Sequence, residues 1–221
     1  GLERNSGFKL TLTLLRKSIA ALVYGDLLML LDNQVKPYEK HLGDSRRMVS
    51  NWVNRLSEQF SERTGYTLKT LRLNLESIAD SFSKIPTVTK EKIKVGIVGE
   101  IFVKYASLAN NHLEDFLASQ GCEVMVPGLL EFILFKTDNR LEDIKLYGGS
   151  RIKKGIVSML MNYLSKMEQQ LIDVVQKYDC FTAPSPYQHL KELVKDVIGH
   201  GCKMGEGWLL TAEMLELIEH G

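Results

Sequence analysis

The feature that most constrains the fold is a pair of short apolar segments in the middle of the chain. Residues 93–98 are rich in isoleucine and valine, and residues 123–127 contain two valines and a methionine, a composition that favours β-strands. A helix is predicted between them, from about residue 107 to residue 120, with Gly121 as its stop. Two strands joined by so long a connection pair in parallel. We therefore predict a strand–helix–strand unit.

Helical periodicity dominates the rest of the sequence. In residues 1–86, apolar side chains recur every three or four positions in three successive stretches, which indicates three amphipathic helices. The breaks are predicted at Lys36-Pro37 and at Gly65-Tyr66, because the residue before a proline avoids helical geometry and glycine weakens a helix. The remaining predicted helices cover residues 128–135, 151–178, 187–198 and 207–219.

These elements predict a helix-rich α/β protein with two parts. Residues 1–86 form a helical region, and residues 91–221 form a Rossmann-like domain that carries a helical insertion at about residues 137–180. A late helix that ends in glycine normally leads into another strand of such a sheet. We therefore expect that the parallel sheet is incomplete and that residues beyond Gly221 would complete it.

The composition of the chain limits the classes of binding partner and the cellular compartment that the sequence predicts. The 28 basic and 27 acidic residues nearly cancel, so the sequence predicts binding neither to nucleic acid nor to an anionic membrane. The sequence contains no run of about 18 apolar residues, which is the length that predicts a membrane span. Three widely spaced cysteines argue against a disulfide framework and favour a reducing, cytoplasmic environment.

The first candidate motif is Gly-Ile-Val-Gly-Glu at residues 96–100, directly after the first predicted strand. It lacks the third glycine of a dinucleotide-binding fingerprint. Open α/β sheets place ligands at the carboxyl ends of their strands, so Glu100 is a candidate cleft residue. The alternative is that its carboxylate only caps a neighbouring helix.

The other candidate residues lie at predicted helix starts. Asn110 and Asn111 follow the loop after the first strand, where free backbone N–H groups can bind anions or carbonyl groups. Glu206 stands between two glycines before the last helix, and Trp208 follows. We predict that Glu100 and Glu206 share one crevice. Capping by the polar residues and core packing of the tryptophan are the alternatives.

No catalytic group and no metal site is predicted within the chain. His200 and Cys202 supply at most two ligands, whereas structural zinc requires four, and no nucleophile motif accompanies a histidine and an acid. The basic residues Lys145, Arg151, Lys153 and Lys154 indicate a solvated face, with a phosphate contact as the alternative.

Several of these segments together resemble the dehydratase-like region of the 2-hydroxyacyl-CoA dehydratase and activase family. The segments are residues 94–101, 110–113, 121–124 and 205–211 with Glu213. Residues 24–28 and 36–39 resemble the helical stretch that precedes this region. The resemblance spans nearly the whole chain, and the Gly-Glu-Gly-Trp segment is its most specific part.

The resemblance implies a chemistry for the parent protein. Members of this family dehydrate (R)-2-hydroxyacyl-CoA thioesters by a radical route, after an ATP-hydrolysing activator with a [4Fe-4S] cluster injects one electron. The dehydratase component holds its own [4Fe-4S] cluster through cysteines. The family's Pro-Phe-Gly-Cys loop is expected beyond Gly221, so we predict that this chain alone binds no cofactor, while its full-length parent holds a cluster.

The leading hypothesis is therefore a fragment that is inactive alone and forms part of an acyl-CoA or cluster cleft, with the remainder of the parent polypeptide and an activator as partners. Its cleft-lining candidates are Glu100, Asn110, Asn111, Glu206 and Trp208. The alternative is a non-enzymatic module that docks an activator ATPase or a partner subunit.

Overall fold

The computed structural model describes residues 11–219 and shows a helix-rich α/β protein. The outer ends of the two predicted parts, residues 1–10 and 220–221, lie outside the described residues. In chain order the elements are α1 (Leu12–Val35), α2 (Asp44–Ser61), α3 (Leu68–Ser83), β1 (Lys94–Gly96), α4 (Ile101–Tyr105), α5 (Leu113–Ser119), β2 (Glu123–Met125), α6 (Leu129–Tyr147), α7 (Arg151–Val175), α8 (Tyr187–Val194) and α9 (Gly207–Glu219).

The three N-terminal helices begin and end where the sequence places their breaks. The Thr11 hydroxyl caps α1 by accepting the N–H of Leu14 at 3.1 Å, and α1 ends just before Lys36-Pro37. Gly65, with φ of 83°, turns the chain between α2 and α3, a left-handed conformation that glycine adopts without steric cost. The predicted breaks are confirmed.

The predicted strand–helix–strand unit is also confirmed. Strand β1 pairs in parallel with β2, with Val95 opposite Val124, and the N–H of Ile97 extends the ladder to the carbonyl of Met125 at 2.8 Å. Helices α1 and α5 pack against β2. Leu217 of α9 lies over Gly96, so closely that a Cβ there would stand 2.6 Å from the leucine side chain.

Two predicted helix boundaries are wrong. The predicted helix over residues 107–120 is only α5, because Asn111 and His112 adopt left-handed φ angles of 55° and 56° that interrupt helical geometry. The helix predicted to stop at residue 135 continues to Tyr147 as α6. It then turns at the glycines of residues 148–149 into α7, so the predicted insertion is a helical hairpin.

Most buried apolar side chains belong to one core. Helices α1, α2 and α3 contribute to it together with α6, α7, α8 and α9. A second, small cluster of Ile97, Val124 and Val126 lies beside the sheet. Both predicted parts of the chain contribute to the large core, and the division into two domains stays a prediction.

Within residues 11–219, no helix combines the length and the apolar character needed to cross a bilayer.

Candidate functional site

The carboxyl ends of β1 and β2 carry the densest set of buried ionisable groups that the structure describes. After β1 the chain continues through Gly99 and Glu100 into α4. After β2 it continues through Pro127 and Gly128 into α6. Both helices therefore begin at the same edge of the sheet, which is the edge where open α/β sheets bind ligands.

The N-terminus of α4 receives two carboxylates. Glu100 directly precedes the helix, and its side chain accepts the N–H of Phe102 at 3.2 Å. Glu206, which lies near the C-terminal end of the chain, accepts the N–H of Ile101 through Oε1 at 3.5 Å. Glu100 is exposed and Glu206 is buried. The structure thus brings these two predicted residues together, and the positive helix end favours both charges.

Local geometry explains the Gly-Glu-Gly segment. Gly205 and Glu206 both adopt left-handed φ angles, 60° and 62°, and such an angle strains a residue that has a side chain. At Gly207 a Cβ would stand 2.6 Å from the carbonyl oxygen of Cys202, which also accepts the N–H of Trp208 at 2.9 Å. This tight turn directs Glu206 away from its own helix and toward α4.

A fully buried ion pair lies behind this helix terminus. The Lys104 ammonium of α4 donates to Glu213 of α9, and the two side chains are 2% and 1% exposed. One oxygen of Glu213 and one of Glu206 are buried without a hydrogen-bond partner among the described residues. The site therefore holds more acceptor capacity than its own donors satisfy, which is costly in a protein interior.

The N-terminus of α6 is capped by a side chain from α1. Asp26 Oδ1 accepts the N–H of Leu129 at 2.9 Å, and Oδ2 accepts the N–H of Leu130 at 2.7 Å. Gly128 lies so close that a Cβ there would stand 3.0 Å from Asp26 Oδ2. Carboxylates thus occupy both helix N-termini at this edge, so neither terminus is open to a phosphate group.

An apolar cleft with acidic groups opens beside these helix termini. Its polar side chains are Asp26, Glu131, Glu168, Ser185 and Glu216, and its apolar wall includes Leu30, Val126, Pro127, Leu171, Ile172 and Pro184. We call this the carboxyl-edge cleft. Asp26, Glu168 and Glu216 each accept backbone N–H groups. One oxygen of Glu131 has no hydrogen-bond partner among the described residues.

Burial shifts the proton affinity of these acids upward. It raises the pKa of Asp26 to about 6 and that of Glu168 to about 7. It also raises the pKa of Glu213 to about 7, against the opposing charge of Lys104. Burial, reinforced by the charges of Glu213 and Glu216, raises the pKa of Glu131 well above the usual range. Burial in this site therefore favours the protonated form of these carboxyl groups.

The other predicted site residues either stabilise the fold or lie away from the cleft. Asn110 donates to the carbonyl of Val103 at 3.0 Å and accepts the N–H of Leu113 at 3.2 Å, so it ties α4 to α5. Asn111 is exposed on the connecting turn. Trp208 lies outside the cleft. It is fully buried, and its indole packs against the rings of Phe135, Tyr187 and His200.

Asp26, Lys104, Glu131 and Glu213 define the site but were not among the predicted cleft residues, although Glu213 and the segment with Asp26 belong to the resembling segments. Three of them interrupt apolar runs, as Asp26 does between Tyr24 and Leu27. A lone charged residue within an apolar stretch is a usable sign of a buried polar group. The pairing of Lys104 with Glu213, 109 positions away, has no local sign in the sequence.

The residues of this chain do not fit an iron–sulfur cluster. Cys122 is partly buried at the start of β2, and Cys180 and Cys202 are exposed on loops. Among residues 11–219, no three histidine, cysteine or acidic side chains are grouped so that they could hold a metal ion. A [4Fe-4S] cluster is normally held by several cysteine thiolates.

No protein-family model, no curated protein and no solved structure matches this chain.

Proposed function

We propose that this chain belongs to a protein related to the 2-hydroxyacyl-CoA dehydratases and forms one wall of its substrate cleft. The motifs at residues 94–101 and 205–211 support the proposal, because both converge on the carboxyl edge of the strand pair. In this proposal the sheet is Rossmann-like, and the rest of the parent polypeptide supplies its remaining strands, the cluster and the docking site for an ATP-dependent activator.

The observation that carries the proposal is the position of Glu131 in an apolar cleft, where one of its carboxyl oxygens has no hydrogen-bond partner among the described residues and burial raises its pKa. A protonated carboxyl group donates a hydrogen bond, and a buried one donates it strongly because no water competes. A thioester carbonyl is the matching acceptor. Loss of a hydroxyl group as water also needs a proton, which a carboxyl group that keeps its proton can supply.

The helix termini indicate which part of the substrate enters the cleft. Asp26 occupies the start of α6, while Glu100 and Glu206 occupy the start of α4. The phosphates of coenzyme A would meet negative charge at both places. The cleft therefore receives the uncharged acyl part of the thioester, and the nucleotide part lies against another portion of the parent protein.

Binding of a (R)-2-hydroxyacyl-CoA thioester to the isolated chain tests this proposal. We expect amide resonances of residues 128–131, Ser185 and Glu216, which line or adjoin the cleft, to shift on addition of the thioester, and to stay unchanged with free coenzyme A. Glu131→Gln keeps the shape but replaces the acid O–H with an amide N–H, which is a weaker donor, so we expect binding weaker by up to about tenfold.

Glu62→Gln provides the matched control, because Glu62 is exposed at the end of α2. It should leave binding unchanged. Equal binding of thioester and free coenzyme A, shifts confined to other regions, or an unchanged affinity in Glu131→Gln would refute the proposed role of the cleft.

A further inference from the structure

The hairpin of α6 and α7 projects apolar side chains into solvent. Ile152, Ile156 and Met159 are 76%, 63% and 73% exposed. They are spaced four and three residues apart, so they line one face of α7. At the end of α6, Leu146 and Tyr147 are 60% and 81% exposed. We call these five side chains the hairpin-tip surface.

The hairpin-tip surface is continuous with the apolar core along α7, but the described residues do not cover it. The same face of α7 passes through Tyr163, which packs partly buried against the core, to the fully buried Met167. Along the second half of α7, helix α3 packs against it. Along the first half, the described residues leave this face open. An apolar stripe of this kind is typical of a binding surface.

The charge around the hairpin-tip surface is mainly positive, although Lys145 is paired with Glu142 at 3.3 Å. Residues 144–167 contain no acidic residue but five basic ones, although the whole chain is almost neutral. Four of the basic residues, Lys145, Arg151, Lys153 and Lys154, are exposed at the tip. Two tips would repel each other, so a second copy of this chain is disfavoured, and an acidic partner is favoured.

The shape of the surface favours a narrow partner. The exposed stripe spans only residues 152–159 of α7 and then becomes buried. A single α-helix, about 10 Å wide, fits beside the stripe. Anchors at i, i+4 and i+7 are also the spacing with which helices pack on one another.

We propose that the hairpin-tip surface docks an acidic amphipathic α-helix of a partner polypeptide. The partner's apolar face covers Ile152, Ile156 and Met159, and its carboxylates lie near Arg151 and Lys153. The proposal is independent of the carboxyl-edge cleft, because the hairpin-tip residues are not among those that line the cleft.

A synthetic peptide tests the proposal. The probe is a helix with leucines on one face and glutamates on the other, labelled for fluorescence anisotropy. Two further peptides serve for comparison: the same composition in shuffled order, and the same pattern with lysine in place of glutamate. We expect the first peptide to bind at least about tenfold more tightly than either comparison peptide, because only it matches both the stripe and the charge.

The double substitution Ile156→Gln/Met159→Gln should weaken this binding at least about tenfold without changing the charge. Val53→Gln, at an equally solvent-facing apolar position on α2 (48% exposed), should leave binding unchanged. Equal binding of the shuffled or lysine peptide, or an unaffected double variant, would overturn the proposal. Binding to phosphatidylserine vesicles that the double variant abolishes, without binding of the acidic peptide, would overturn it in favour of a membrane.

Discussion

Replacement of Lys104 by methionine is expected to destabilise the protein by about 3–5 kcal/mol at neutral pH. The ammonium group is the positive partner of Glu213, and both side chains are buried. Its charge also acts favourably on Asp26 and Glu131. Removing one member of a buried pair leaves a desolvated carboxyl group that is either charged without compensation or forced to bind a proton, and losses of this size are typical. Urea denaturation at pH 7.5 measures the free energy of unfolding.

Two further variants distinguish the effect of the buried charge on the free energy of unfolding from other effects of replacing a lysine. Lys84→Met removes an exposed ion pair, because Lys84 contacts Asp80 at 2.5 Å on the surface of α3, so it should cost less than about 1 kcal/mol. The double variant Lys104→Met/Glu213→Leu should recover most of the lost stability, since apolar replacement of both partners is well tolerated. A loss in Lys104→Met no larger than that in Lys84→Met would contradict this interpretation.

Stability should fall as the pH rises from about 5 to 8. The folded-state pKa values of Asp26, Glu168 and Glu213, about 6, 7 and 7, lie above the ordinary values of 3.8 and 4.5. Burial raises the pKa of Glu131 further. In this range the folded protein binds more protons than the unfolded chain. The stabilising contribution of these carboxyl groups is therefore complete below about pH 4, and it is lost as the pH passes through 6 to 7.

The size of this effect follows from the pKa differences. One pKa unit corresponds to about 1.4 kcal/mol, so a single group of this set changes the free energy of unfolding by about 3 kcal/mol. Glu76 does not contribute in this range, because Lys177 lowers its pKa from the ordinary 4.5 and its effect on stability is confined to pH values below about 5. Urea denaturation at several pH values measures the slope. A free energy of unfolding that rises between pH 5 and pH 8 would be inconsistent with buried, protonated carboxyl groups.

Much of the fold follows from local sequence patterns. The recurrence of Met48, Trp52, Leu56 and Phe60 places α2, and the proline after Lys36 places the end of α1. The parallel pairing of β1 and β2 follows from the length of their connection. These features depend on neighbouring residues, so a single sequence is enough to predict them.

The features that the sequence failed to predict depend on distant contacts or on backbone conformation. Lys104 meets Glu213 only because α9 packs over Gly96 of β1. Trp208 follows a turn that suggests a cleft, but the packing of Phe135 and Tyr187 places it in the core. The left-handed geometry of Asn111 and His112, which ends the predicted helix, is allowed by their side chains but not required.

The most direct test of the proposed cleft is an NMR titration of its carboxyl groups. The chain is labelled with ¹³C at the glutamate carboxyl carbons, and Glu131→Gln and Glu213→Gln assign the two resonances. We expect Glu213 to titrate with a pKa near 7 and Glu131 with a pKa well above its ordinary value. A (R)-2-hydroxyacyl-CoA thioester should raise the pKa of Glu131 further, because its carbonyl accepts from the protonated form. Titration of both groups below pH 5, without any response to the thioester, would contradict the proposed function.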